Sequence, residues 1–180
     1  MNRYNIDSPE KYSQFYKESV EEPEIFWSEL ASNNFLWKKK WSKVLDWDFR
    51  KAEVSWFKDA KLNITTNCLD RHVKNDPDKT AIIFEPNNPN EEYKSYSYSE
   101  LLTEVCKMAN VLKSMGVKKG DRVCIYLPMI PELAFSVLAC ARIGAIHSVV
   151  FAGFSSNALA ARIDDCESGI IITSDGSFRG

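Results

Sequence analysis

The sequence predicts an α/β fold in which a helical and irregular N-terminal extension precedes β-α units that form a partly parallel sheet with flanking helices. Two observations support this prediction. All five tryptophans lie within the first 56 residues. From about residue 66 onward, strand and helix patterns alternate with short connections. Such alternation is typical of parallel sheets with right-handed crossovers.

The extension begins with two predicted helices. Ser8 and Pro9 predict the start of the first, because serine caps a helix N-terminus and proline fits its first turn. Pro23 predicts the start of a second, shorter helix. Over 35–57 the aromatic residues have no sustained period, which favours an irregular segment whose tryptophans pack on another surface. A small independent unit with a tryptophan core is the alternative.

The second part of the chain shows clearer periodicity. It predicts helices and strands in this order: helix 66–74, strands 80–85 and 93–98, helix 101–115, strand 122–127, helix 131–143, strand 145–151, helix 155–166 and strand 169–173. Ser97 and Glu100 have the spacing of a capping box at the start of the predicted helix 101–115. The helix over 131–143 is apolar on nearly all sides, so we expect it to be deeply buried, partly by surfaces outside this chain.

Composition excludes several classes of protein. The formal charge is -2, from 23 basic and 25 acidic residues, which does not predict a nucleic-acid partner. The five cysteines include no CxxC pair and there are only two histidines, so we expect reduced thiols in a cytoplasmic protein and no metal site. The apolar stretch 123–143 is interrupted by prolines and charges, which predicts a buried strand and helix and no membrane span.

Two polar loops follow predicted strands, where ligands bind in open parallel sheets. In the first, 151–156, Gly153 permits close backbone approach and Ser155 can cap the next helix, although an ordinary strand-to-helix turn explains the same residues. The second, 173–180, contains Arg179, whose guanidinium suits phosphate. The sequence has no phosphate-loop, GxGxxG or GxSxG motif, so we assign no catalytic, ATP-binding or metal-binding residue.

Longer stretches are more specific than these motifs. They are KVLDWDF at 43–49, LNIT at 62–65, NCLDRH at 67–72, ANVLK at 109–113, GVKKGDRV at 116–123, PMIPE at 128–132, LACARIGAIHSVVF at 138–151 and AGFS at 152–155. Together they resemble the acetyl-CoA synthetase branch of the adenylate-forming acyl-CoA synthetases, from about residue 10 to the last residue. The resemblance covers the N-terminal quarter to third of such an enzyme, so we expect an N-terminal fragment.

The resemblance implies an AMP-forming acetate–CoA ligase. Acetate and ATP would give acetyl-adenylate and pyrophosphate, and the CoA thiol would then release AMP and form acetyl-CoA. A propionyl-CoA or other short-chain acyl-CoA synthetase is an alternative. A standalone CoA-binding or nucleotide-binding module and a purely structural piece are two further alternatives.

The resemblance also implies a division of the chain and a set of site residues. Residues 1–62 would be the extension typical of acetyl-CoA synthetases, and 63–180 the start of the large AMP-binding domain. The loop with Phe151, Ala152 and Gly153 would contact the CoA adenine, and Arg179 with Gly180 would reach the CoA 3′-phosphate. The ATP, acetate and Mg²⁺ sites would lie outside this chain, which would be inactive alone.

Overall fold

The computed structural model describes residues 5–176. The chain divides into two compact units, and the boundary between them along the chain falls between Leu62 and Asn63. The first unit contains two helices, α1 (Pro9–Glu21) and α2 (Pro23–Asn34). The Ser8 side chain accepts a hydrogen bond from the Lys11 N–H at 3.2 Å, so it caps α1 as predicted. Both helices begin at the proline that the sequence indicated.

The prediction of an irregular segment over 35–57 is wrong from Lys43 onward. Strands β1 (Lys43–Asp48) and β2 (Glu53–Lys58) form an antiparallel hairpin there. The connection is a short 3₁₀ turn that Asp48 caps, and it ends at Ala52 in the left-handed region, with φ of 53°. An alanine in that position gives no sequence signal for a turn, because glycine or asparagine usually fills it.

The aromatic rings of the first unit pack on one another. The ring of Trp27 lies 6.1 Å from that of Trp56, and Trp41 lies 5.1 Å from Trp37 and 4.9 Å from Phe57. These distances fall in the range of favourable aromatic pairs, which prefer tilted or edge-to-face geometry. The contacts agree with the alternative of a tryptophan-centred unit.

The second unit is built around a parallel sheet. Within the described residues its strands are β5 (Arg122–Tyr126), β6 (Ile146–Val149) and β7 (Ile170–Thr173), in the order β6-β5-β7. Two helices complete these β-α units, α5 (Pro131–Ile143) and α6 (Ser156–Cys166). This arrangement confirms the predicted α/β class with parallel strands.

The remaining elements precede the parallel sheet. They are α3 (Arg71–Asn75), strands β3 (Thr80–Phe84) and β4 (Lys94–Ser97), which pair antiparallel, and the long helix α4 (Tyr98–Ser114). The predicted capping box is present, because Ser97 and Glu100 exchange side-chain to backbone hydrogen bonds at 3.2 and 2.8 Å. The prediction of a regular helix over 66–74 is corrected, since Thr66–Asp70 is a wider π-helical turn.

The core of the second unit is formed mainly by the central strand β5 and the helices α4 and α5. Its buried members come from the π-helical turn, α4, β5, α5 and the segments joining them: Leu69, Leu101, Val105, Ala109, Leu112, Val117, Val123, Ile125, Leu127, Phe135, Ala139, Cys140 and Ala145. Every residue of α5 except Glu132 is buried or half-buried, as its apolar composition predicted. Among the described residues, no helix combines the length and hydropathy needed to cross a bilayer.

A polar network attaches the π-helical turn to the C-terminus of α5. The Asn63 side-chain amide donates to the Ala141 and Arg142 carbonyls, both at 3.1 Å. Its Oδ1 accepts from the backbone N–H of Thr65 at 2.9 Å. The Arg142 guanidinium also contacts both carboxylate oxygens of Asp70, at 3.0 and 3.2 Å. Asn63 thus provides a donor for the Arg142 carbonyl at the helix end, and a second donor for the Ala141 carbonyl, which also accepts from the Gly144 N–H at 3.3 Å.

Replacing Asn63 with alanine should therefore destabilise the chain. The substitution removes the two bonds to α5 and takes from the part-buried Arg142 carbonyl the donor that Asn63 supplies, which costs about 1–3 kcal/mol. Urea denaturation followed by circular dichroism would measure the free energy of unfolding. The matched control is Asn90→Ala, at an exposed loop position. An equal, small effect of both substitutions would show that Asn63 does not hold α5.

A surface ion cluster joins the two strands of the hairpin. The Asp46 carboxylate accepts hydrogen bonds from Lys58 at 2.7 Å and Lys43 at 2.9 Å. These bonds, that of Lys58 first, lower the pKa of Asp46 from its ordinary value of 3.8 to about 2. Because the pKa of Asp46 is lower in the folded state than in the unfolded state, the cluster stabilises the hairpin fully at pH values above 3.8. That contribution is lost as the pH falls from 3.8 towards 2.

We expect NMR titration of the Asp46 carboxyl carbon to give a pKa of about 2. Lys58→Met should move this pKa up towards 3.8, since it removes the largest cause of the shift. Lys51→Met is the control, because Lys51 pairs with Asp48 and not with Asp46. An unchanged Asp46 pKa in Lys58→Met would contradict the cause assigned here.

Candidate functional site

The candidate site lies at the carboxyl ends of β5 and β6, the edge of a parallel sheet at which ligands bind. It consists of Tyr126, the last residue of β5, the loop 151–155 and the first turn of α6. The loop is short because β6 ends at Val149 and Ser155 already caps α6, its Oγ accepting from the Ala158 N–H at 3.3 Å. This cap confirms the predicted helix start.

Tyr126 and a tight turn give the loop its shape. The Phe154 N–H donates to the Phe151 carbonyl at 3.0 Å, which closes the turn. The Tyr126 hydroxyl lies 3.0 Å from the Ala152 carbonyl oxygen and 2.9 Å from that of Phe154. Backbone groups of the loop are therefore held by a side chain from the central strand.

Two aromatic rings of the loop are exposed. The Phe151 side chain is 59% exposed and that of Phe154 is 41% exposed. Their rings meet edge to face with centroids 5.7 Å apart. The Arg162 guanidinium, from α6, lies 4.5 Å from the centroid of the Phe154 ring. Exposed phenylalanines at the functional edge of a sheet offer flat apolar surfaces on which a heteroaromatic base can stack.

The chemical character of the loop surface indicates which kind of ligand it would suit. Exposed rings, a neighbouring guanidinium and the positive end of the α6 dipole favour a ligand that combines an aromatic system with negative charge. Among the described residues, no group of three or more histidine, cysteine or carboxylate side chains could hold a metal ion.

The residues predicted from the sequence fall into two groups. Phe151, Ala152 and Gly153 lie together in the loop described above, while Arg179 and Gly180 lie outside the residues that the structure describes. Sequence reasoning missed Tyr126 as a site residue. The sequence feature that could have identified Tyr126 is a hydroxyl-bearing side chain at the end of a predicted buried strand.

A second concave surface lies at the opposite, amino-terminal edge of the sheet. It encloses about 270 Å³ and is lined by residues from the turns before β5 and β7. Arg122 occupies its rim and is already satisfied, because it donates to the Cys166 carbonyl at 2.9 Å and to the Glu167 carboxylate at 2.9 Å. The cleft therefore has an internally paired cation, and its position does not match the ligand edge of a parallel sheet.

The cysteines form no disulfide in the structure. Cys124 and Cys140 are buried, and desolvation raises the pKa of both thiols, that of Cys140 to about 11. A thiol with so high a pKa stays protonated at neutral pH, and protonated thiols are poor nucleophiles and metal ligands. These two cysteines act as small apolar side chains of the core.

Family models match both parts of the chain. Residues 12–68 match the model described as acetyl-coenzyme A synthetase N-terminus, and residues 69–179 match the model described as AMP-binding enzyme. The two matched ranges meet inside the π-helical turn Thr66–Asp70. The candidate loop lies within the second range.

Curated relatives match nearly the whole chain. Acetyl-coenzyme A synthetases from Magnetococcus marinus, Leptospira biflexa and Saccharophagus degradans are 53%, 55% and 51% identical to it. The alignments cover 95%, 96% and 95% of this chain and 26% of each relative. The chain thus spans about a quarter of the length of the curated relatives that it matches.

Proposed function

Because the chain belongs to the AMP-binding enzyme family, we propose that it forms part of an AMP-forming acetate–CoA ligase. The reaction joins acetate to AMP with loss of pyrophosphate, and the CoA thiol then displaces AMP to give acetyl-CoA. The observation that supports this most directly is the identity of 51–55% to acetyl-coenzyme A synthetases over about 95% of the chain. The substrates are accordingly acetate, ATP and CoA.

Within this reaction the chain supplies part of the CoA site. The adenine of CoA stacks against the loop that contains Phe151, Ala152 and Gly153, and the exposed ring of Phe151 suits such a contact. Arg179, followed by Gly180, binds the 3′-phosphate, because a guanidinium matches the geometry of a phosphate. Ala152 has only a methyl side chain, so it leaves the loop backbone accessible.

The proposal also covers the division of labour along the chain. Residues 1–62 are the N-terminal extension and 63–180 the beginning of the AMP-binding domain, in line with the two units and the two matched family models. In a protein as long as the curated relatives, the part outside this chain supplies the groups that bind ATP, Mg²⁺ and acetate and that perform adenylation. The cytoplasmic location stays a prediction from the sequence.

The function is tested by separating its two half-reactions. A full-length protein that contains this chain should catalyse acetate-dependent exchange of pyrophosphate into ATP without CoA, and should release AMP only when CoA is added. The chain of 180 residues alone should show no exchange above a no-protein control. Comparing acetate with propionate decides the acyl specificity. Exchange that requires neither acid, or AMP release without CoA, would contradict the proposal.

Arg179→Ala should weaken CoA use and spare adenylation. The lost charge-assisted hydrogen bond is worth about 1.5–3 kcal/mol, which raises the KM for CoA roughly 10- to 150-fold. Pyrophosphate exchange, which needs no CoA, should stay near the wild-type rate. The variant should also lose most of its preference for CoA over dephospho-CoA.

Arg50→Ala is the matched control, since Arg50 is an exposed arginine in the turn between β1 and β2. It should change neither half-reaction. If pyrophosphate exchange falls as far as thioester formation in Arg179→Ala, or if the preference over dephospho-CoA survives, Arg179 does not bind the 3′-phosphate.

A further inference from the structure

Tyr126 is the side chain through which the central strand reaches the candidate loop. It ends β5, the strand that pairs with both β6 and β7. Tyr126 itself is in register with Thr173 of β7, and the Ile125 carbonyl accepts from the Val150 N–H at 2.9 Å. The base of the tyrosine is therefore fixed by the sheet on both sides.

The hydroxyl of Tyr126 meets two acceptors of the loop. The carbonyl oxygens of Ala152 and Phe154 lie 3.0 and 2.9 Å from Oη. Carbonyl oxygens only accept, so the hydroxyl is the donor, and its single proton is shared between them. The carbonyls of residues 152 and 154 can both point at one oxygen only if the backbone between them curls around it, and the exposed residues Phe151 and Phe154 lie at the two ends of this curl.

We infer that Tyr126 is a positioning residue that holds loop 151–154 in the shape that receives the adenine of CoA. The inference rests on the proposed function, because the ligand is taken from it. Tyr126 acts on the ligand only through the loop, so its hydroxyl affects CoA binding and not the adenylation of acetate. The Tyr126 ring lies at the end of β5. A substitution that keeps this ring and deletes only the hydroxyl is therefore enough to test the role of the hydroxyl.

The test substitutes Tyr126→Phe, which deletes the two hydrogen bonds and keeps the ring. In the full-length protein, amide hydrogen exchange should accelerate in the peptide that covers residues 151–156. The KM for CoA should rise about 2- to 10-fold, the range expected for loss of an ordinary hydrogen bond. The rate of acetate-dependent pyrophosphate exchange should not change. Tyr98→Phe is the matched control, because the Tyr98 ring stacks on His72 at 4.8 Å, away from the loop.

The outcomes separate this inference from the proposed function. Unchanged amide exchange in Tyr126→Phe overturns the positioning role. Faster amide exchange with an unchanged KM for CoA also overturns it if Phe151→Ala raises that KM, because the loop then binds CoA without help from the hydroxyl. If neither substitution alters the KM for CoA, the loop is not the CoA site and the proposed function of these residues fails. A parallel fall in pyrophosphate exchange would make Tyr126 a general stabilising residue.

Discussion

Burial of β5 on both faces is the constraint on which the second unit depends. Val123, Cys124 and Ile125 are consecutive and have no exposed surface. Since successive side chains of a strand point to opposite faces, each face must be covered. Val123 and Ile125 belong to the core formed with α4 and α5, while the backbone at Cys124 donates to Ser168 at 2.9 Å. Pairing with this buried strand holds β6 and β7 in parallel register on either side of it.

Exposed apolar surface is distributed unevenly around this centre. The sequence suggested that α5 would need covering by surfaces outside the chain. In the structure five residues of that helix are buried, and its other apolar residues are only half-buried. Large exposed side chains lie instead on the flanking strands, where Ile146, Val149 and Ile171 are 55%, 51% and 46% exposed. Central strands of parallel sheets are buried by neighbours on every side, so outer strands depend on elements further along a sheet.

What the sequence could predict follows from how local each signal is. The caps at Ser8, Ser97 and Ser155 and the strand-helix alternation depend on neighbouring residues, and all are present in the structure. The β1–β2 hairpin was missed because its turn uses a left-handed alanine, Ala52, and because its second strand, β2, is largely exposed. The π-helical turn was missed because Asn63, which joins it to α5, acts across about 80 residues of chain.

The candidate loop shows the same limit at the level of chemistry. Its own residues were found from their position after a predicted strand, a rule that needs only the order of elements. The partner that shapes the loop was not, because Tyr126 lies in a different β-α unit and its role depends on where its hydroxyl ends in space. Alternation along β5 directs Val123 and Ile125 into the core, while the end of the same strand supplies the hydroxyl. The burial that fixes the strand therefore also fixes the donor that holds the candidate loop, so core packing and the shape of the loop in this unit have one physical origin.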